Sequence, residues 1–542
     1  MTAPISYGPF LGIANKLDPN HIARGYVSYA CDVEFGRGTI KPMRTDRYLD
    51  AGVGKTVYAG DCCLKTFPTC VDITSHNFDC ERVFASGIKA YPVQGLPDNF
   101  CKEVYCRMGF PCSIAAPTVA YGGASQTTLE AEPRSYVYTY VNSFGEESQP
   151  SLPSPLVTVD FLTTAAISGF VVPPAEYCIK LINVYQLTSG QEQASTAQAG
   201  ESAWLRVAQL PATQMSFTHD PTIQTYSASL TTSDFVPVPD DATDLQHFGT
   251  NQLAFQSQGQ VRFTEPFNYS LAPLKYAYKP ADGLLEVAAT PQWVYMLTCG
   301  RPEVLQSQGA CDGSGQRKSA QATEIFPLIG RQSVATYGSS VIFASVAGLV
   351  IMNGADAQLF SENIFTREDW DALQPHTMRG VVYNGFYYCA SDVAAFRVEI
   401  PRGAKSGQDS AFCWLSIRPT AMTVTQDDRL IFADITGTYE LEQGGDFKQF
   451  KVLTEDTHSH SPWIHGAFCL QLRGKGSLPT SIGQWITFDG GGREEYKTTV
   501  MAGGMYRFPR RSGDSVQYEI IGNTEVISLA VGPTVQSITS TR

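Results

Sequence analysis

The sequence predicts an all-β chain: a β-propeller of about six blades, an inserted sandwich-like domain of fibronectin III-like character, and a cysteine-rich N-terminal region. Three observations predict it. Short runs such as VYTYV, KLINVYQL, QLAFQS, QWVYML, SVIFAS, GFYYCA and RLIFAD are β-branched or aromatic and are bounded by Gly, Asn, Asp, Ser or Pro, the signature of strands. Helical periodicity is confined to Arg367–Leu373, where Thr366 is placed to cap a turn or two. The third observation is spacing. Comparable strands carry Leu253, Val294, Val341, Phe386 and Leu430, which lie 41, 47, 45 and 44 residues apart. Several short strands within each repeat of this length are what a propeller blade leaves in sequence. The competing reading of the same strands is a pair of β-sandwiches with accidental spacing.

Taken in order, residues 1–60 supply N-terminal strands expected to close the propeller. RGYVSYACDVEFGRGTIKPMR reads there as two strands joined by a Gly-rich turn. Residues 61–131 are cysteine-rich and less regular. Of fourteen cysteines in the chain, Cys62, Cys63, Cys70, Cys80, Cys101, Cys106 and Cys112 crowd this region, with Cys31 before them. The region has no C-x-x-C pair. Disulfides formed late, buried thiols and zinc therefore all stay open.

Residues 132–225 have the strand spacing of a small sandwich. Its first strand, YVYTYV, runs into GEESQPSLPSP, where the prolines are expected to end pairing and send the chain across. Residues 226–515 hold five visible propeller units, with Trp463–Tyr506 as a candidate sixth, and residues 516–542 are C-terminal strands.

With 43% hydrophobic residues the 542-residue chain can build several cores, yet only 17% of residues are charged. The 39 basic and 52 acidic side chains give a formal charge of −13. Gripping nucleic acid needs a basic stripe that displaces counterions from phosphates. The nearest thing to one is Arg507, Arg510 and Arg511 around Pro509. Acidity is nonetheless compatible with a conduit along which a polyanion must slide. The N-terminus has no basic n-region followed by an apolar core, and no window approaches 18 apolar residues, so neither a signal peptide nor a membrane span is expected.

Motifs that would carry chemistry are incomplete. AGVGKT at 51–56 ends like a phosphate loop but has Leu49 where the first glycine belongs. His458 and His460 are two apart, so a strand would point both to one face, and His465 and Cys469 follow. The carboxylate pairs Glu146–Glu147, Asp240–Asp241, Asp427–Asp428 and Glu494–Glu495 are adjacent, and adjacent strand residues face opposite ways. They read as solvated turn residues. No G-x-S-x-G elbow occurs. The chain is thus expected not to be an enzyme, with no catalytic, cofactor-binding or metal-binding residues. Ser307–Lys318 and Asp489–Glu495 read as polar surface loops.

YVYTYVNSFGEESQPS, INVYQLTSG and FTHD resemble segments of the tail nozzle proteins of short-tailed bacteriophages, the tail tubular protein B-like family. So does the later order NQLAFQSQGQVRFTEPF, WVYMLTCGRPEVL, SVATYGSSVIFASVAGLVIMNG, IFTREDWDALQP and NGFYYC. Upstream, LKTFPTCVDI and ERVFASGIKAYPV are similar to the stretch preceding the sandwich in such proteins. The likeness covers roughly residues 20–440 and departs at the Cys62–Cys63 segment. It implies a structural virion protein, a homohexamer at the tail tip assembled in the host bacterial cytoplasm. Its implied partners are head-to-tail adaptor proteins, the portal indirectly, and tail fibres. Double-stranded DNA would be retained, then pass at genome ejection without sequence-specific binding. The alternatives are a propeller enzyme or lectin acting on host surface glycans, or a tail spike or fibre-base protein.

Overall fold

A computed structural model describes residues 4–60, 63–76, 82–111, 114–122, 131–189, 202–223, 226–249, 251–273, 276–306, 318–401, 411–474, 476–488 and 492–539. The chain is all-β. Its described helices are single short turns, and none is long and apolar enough to cross a membrane. It divides into two compact units: Met1–Cys70 with Thr298–Pro302 and Gln321–Arg542, and Val71–Leu297 with Glu303–Ala320.

The unit spanning Val71–Leu297 contains meander sheets of the kind that blades are made from. One runs through Asp72–His76, Arg82–Ser86, Val93–Gly95 and Cys106–Arg107, and another through Thr243–Phe248, Gln252–Ser257 and Gln260–Phe263. A third has Leu284–Ala289, Trp293–Thr298 and Glu303–Gln306 as successive strands. Their first strands, Asp72–His76, Thr243–Phe248 and Leu284–Ala289, lie side by side.

Middle strands read as unbroken apolar runs because both faces of each sheet are covered. Leu253 and Phe255 enter one core with Phe84 and Met108, while Ala254 between them enters another with Val287, Val294 and Met296. Each such Leu or Phe removed from water contributes about 1.5–3 kcal/mol.

The sandwich lies in this same unit. Its sheets are Tyr136–Asn142, Ile179–Ser189 and Ser202–Pro211 against Thr118–Gly122, Thr164–Ser168 and Ser216–His219, with Tyr136, Tyr138, Tyr140, Ile167, Phe170 and Val184 in the core between them. The serine/proline stretch does not end the pairing, contrary to the expectation from its prolines. Ser154, Ser151 and Ser148 each donate their backbone N–H to the carbonyl of Tyr136, Tyr138 and Tyr140 at 2.8–2.9 Å. In return the N–H of each tyrosine donates to the Oγ of the same serine at 2.9–3.0 Å. A segment with a three-residue period thereby zips onto a strand with a two-residue period. Prolines at 150 and 153 fall between the contacts, where no N–H is needed.

The other unit repeats the blade pattern. Leu328–Tyr337, Ser340–Ser345, Gly348–Asn353 and Asp356–Leu359 form one four-stranded meander. Arg379–Tyr383, Phe386–Ala390, Ala395–Glu399 and Phe412–Leu415 form the next. In the third, Arg47–Asp50 from the N-terminal segment supplies the outer strand beside Ala421–Val424, Leu430–Ala433 and Thr438–Glu440. In FYYCA, Tyr387 and Cys389 enter the core shared with the preceding sheet, and Tyr388 and Ala390 that shared with the following one. The one expected helix is present as Arg367–Ala372. Thr366 and Asp369 close a reciprocal capping box, and Trp370 donates to the Ser345 carbonyl at 3.0 Å.

Trp463–Tyr506, expected as a sixth repeat, instead contributes to long strands, Thr457–Arg473, Thr480–Thr487, Arg493–Val500 and Gly504–Gly522. They belong to the large sheet that also takes in Tyr26–Cys31 and Thr39–Pro42. Runs of 17 and 19 residues exceed what one blade strand can use.

Candidate functional site

The side-by-side first strands of the Val71–Leu297 unit bring together three carboxylates that sequence leaves far apart. Asp72, Asp244 and Glu286 each present an oxygen within 4.8 Å of the others. Asp72 opens its strand, where Ser86 Oγ donates to Oδ2 at 2.9 Å, and the Asp244 N–H reaches the same oxygen at 3.3 Å. Asp244 is 2% exposed and left-handed at φ 53°, within a register shift between Thr243 and Gln246. A left-handed backbone on a non-glycine residue in an irregular strand re-aims a side chain. Asp72 and Glu286 are only partly buried. Chemically, such a group can ligate a hard cation.

Sequence reasoning missed this group because its members are single residues without a motif. The adjacent pairs it did consider have other roles. Glu146 is no solvated turn residue: it is 4% exposed and ion-paired to Arg82 at 2.6 Å. It also accepts from Asn142 Nδ2 at 2.7 Å, Ser270 Oγ at 2.6 Å and the Tyr269 N–H at 2.9 Å. The Arg82 guanidinium in turn lies 4.1 Å from the Phe144 ring centre and 5.2 Å from that of Tyr269. The turn of the sandwich, the first meander sheet and Tyr269–Ser270 are thereby fastened through one carboxylate. Glu147 likewise accepts from Tyr185 Oη at 2.6 Å, Asn183 Nδ2 at 2.8 Å and Thr139 Oγ1. Burial, then the Glu147 charge, raise the Tyr185 phenol well above its ordinary value.

Of the remaining pairs, Asp240 receives two hydrogen bonds from Arg107 at 2.6 Å, and Asp241 one from Ser257 Oγ at 2.8 Å. Asp427 pairs with Arg429, Asp428 sits left-handed in the turn, and Glu495 pairs with Lys497. Glu494 is exposed on the strand Arg493–Val500.

The segment 51–56 leads into the strand Thr56–Ala59, paired with Leu64–Phe67, and no helix follows to hold a phosphate. His458 is exposed and bonded to Asn20 Oδ1, while Cys469 is 5% exposed. The side chains of His460, His465, Arg510 and Arg511 lie outside the described residues, as do 307–317 and 489–491. Cysteine chemistry divides: Cys106 is bonded to Cys178, Cys63 and Cys101 are also in disulfides, and Cys389, Cys413 and Cys469 are buried thiols. Burial pushes Cys389 up to about 12 and Cys413 up to about 11, away from nucleophilic thiolates.

No family model matches this chain, and no curated protein matches it. Among solved structures, one described as a glycoside hydrolase is 6% identical over 65% of this chain and 94% of its own, at a TM-score of 0.19. An exo-β-1,3-galactanase from Phanerochaete chrysosporium, solved with galactose, is 10% identical over 64% of this chain and 93% of its own, also at 0.19. The extracellular domain of a one-component system protein from B. thetaiotaomicron is 8% identical over 94% of this chain and 81% of its own, at 0.17. The expectation that the chain is not an enzyme is corrected by the presence of glycoside hydrolases among these matches. At such scores they transfer neither activity nor substrate to this chain.

Proposed function

We propose that this chain is a subunit of the tail nozzle of a short-tailed bacteriophage. In this reading it is a homohexamer at the virion tail tip that meets adaptor subunits and tail fibres. It retains packaged double-stranded DNA and conducts it at ejection. The observation that carries the reading is the stretch Tyr136–Pro155. The resembling stretch YVYTYVNSFGEESQPS contains Ser148 and Ser151, which pair with the strand, and Glu146, which is ion-paired to Arg82.

Quantitative mass spectrometry of purified virions tests it. The expected copy number is about half that of the portal subunit, as a sixfold ring beneath a twelvefold one requires. Absence from the particle, or a spike-like multiple of three above six, would sink it.

A second reading, action on host surface glycans, is favoured by the Asp72–Asp244–Glu286 group. Release of reducing sugar from host surface polysaccharide that Glu286→Gln abolishes would support it; release unchanged by that variant, or none, would remove it.

A further inference from the structure

We propose that a cleft between residues 13–17 and 363–364 binds a small apolar carboxylate of the fatty-acid kind, with roughly ten non-hydrogen atoms. The inference goes beyond the nozzle reading and does not depend on it. It concerns residues other than the Asp72 group.

The cleft lies wholly within the unit that holds the N-terminal strands, and its volume is about 300 Å³. That is in the range of small-molecule sites and roughly twice the ~150 Å³ of an apolar cavity that takes benzene. Its lining residues grade from core to surface. Ile364 and Phe412 are buried, Ile13 and Tyr26 are half-buried, and Lys16 and Leu17 are exposed. Leu17 in particular leaves 51% of its surface to water at the rim, apolar area that a ligand seated in the cleft would cover.

The two sides are fixed before any ligand arrives. Gly12–Ile13 pairs in parallel with the start of Tyr26–Cys31, and Ala14 donates its N–H to the Val27 carbonyl at 2.9 Å. Asn15 Nδ2 then donates to the Ile364 carbonyl at 3.0 Å, and Lys16 Nζ to the Glu362 carbonyl at 2.6 Å. These bonds tie one side of the cleft to the other. A site held in this way has little freedom left to lose on binding.

Charge selects the ligand class. Lys16 is the one charged side chain that lines the cleft, and no acid lines it. Its bond to a neutral carbonyl leaves further N–H donors of the ammonium over, and Lys16 forms no ion pair among the described residues. An apolar interior beneath an uncompensated positive rim is complementary to an apolar body that ends in an anion. A carboxylate meets the ammonium through a charge-assisted bond. A cation of the same shape is repelled, and a neutral alcohol gains the apolar contact alone.

The test uses the full chain, with octanoate, octylamine and 1-octanol as probes, read by saturation-transfer NMR and calorimetry at low salt. Octanoate is expected to bind with a dissociation constant of about 1 mM, the scale for a ligand of this size, and octylamine at least tenfold more weakly. Lys16→Met keeps an apolar stem and removes the ammonium. It is expected to weaken octanoate roughly fivefold and to leave the octanol signal unchanged. Ala23→Phe, at an exposed lining position, puts a ring in the cleft and is expected to weaken octanoate and octanol alike. The thermal transition should stay in place in both variants, since neither position is buried. Failure of octanoate to bind, equal binding of octylamine, or binding that neither variant alters would each overturn the proposal. So would failure of octanoate accompanied by a change of self-association in Ala23→Phe, which would assign the cleft to a second copy of the chain. None of these outcomes bears on the copy number in virions.

Discussion

Glu146 shows how one buried carboxylate can organise a junction. Its four donors come from the turn, from Arg82 and from Tyr269–Ser270, so neutralising it leaves a guanidinium between two rings with no counter-charge. Glu146→Gln is expected to lower stability by about 3 kcal/mol, the scale for breaking a buried pair from one side, measured by chemical denaturation. A loss below about 0.5 kcal/mol would mean that water reaches the site. His219 behaves differently. It is 1% exposed, lies 2.9 Å from the Tyr136 hydroxyl, and is pushed down to about 4 by burial and then by the nearby Arg134 charge, with Asp220 opposing. Between pH 6.5 and about 4 the unfolded chain therefore binds a proton that the folded chain refuses. Stability is complete above pH 6.5 and falls as pH drops through that window, by about 3 kcal/mol in all. Replacing His219 with Gln should flatten that part of the stability-versus-pH curve; an unchanged slope would assign it to other groups.

At the scale of elements, the serine zipper makes a similar demand on single atoms. Ser151 Oγ is the acceptor for the buried Tyr138 N–H, so Ser151→Ala leaves an unpaired donor, and a cost of about 1–2 kcal/mol is expected. Amide exchange at Tyr138 is the direct readout, and protection equal to that of the parent would refute the role. The pattern S-x-x-S-x-x-S was in plain view, yet prolines between the serines read as a break, because strand logic counts in twos and this segment counts in threes. Blade spacing was legible for the opposite reason: a strand covered on both faces, such as FYYCA, is apolar at every position and stands out. The Cys106–Cys178 bond was not legible, since it joins residues 72 apart with no motif between them. Closing a loop of that length stabilises by about 4 kcal/mol in the chain-entropy account. Glu146 was misread because its counter-charge lies 64 residues upstream, and the Asp72 group escaped notice because its members sit on three separate sheets.

For the molecule as a whole, the surplus of acid, 52 residues against 39 basic, sets the terms of any encounter with DNA. A duplex is held mainly by cations that release its counterions, and each phosphate contact adds nearly one to the salt slope. Several basic side chains that could serve are already committed to carboxylates: Arg82 to Glu146, Arg107 to Glu176 and Asp240, Lys448 to Asp46, and Lys451 with Lys497 to Glu519. Their neutralisation favours passage of DNA over capture, which is what the proposed conduit needs. The purified chain is accordingly expected to leave linear duplex DNA unshifted in a gel at about 150 mM salt, where non-specific binders have dissociation constants of roughly 10⁻⁴–10⁻⁶ M. Micromolar binding with a slope of several ions would show a basic track that the charge balance conceals. Arg507, Arg510 and Arg511 would then be the first residues to replace, and the conduit would have to be recast as a clamp.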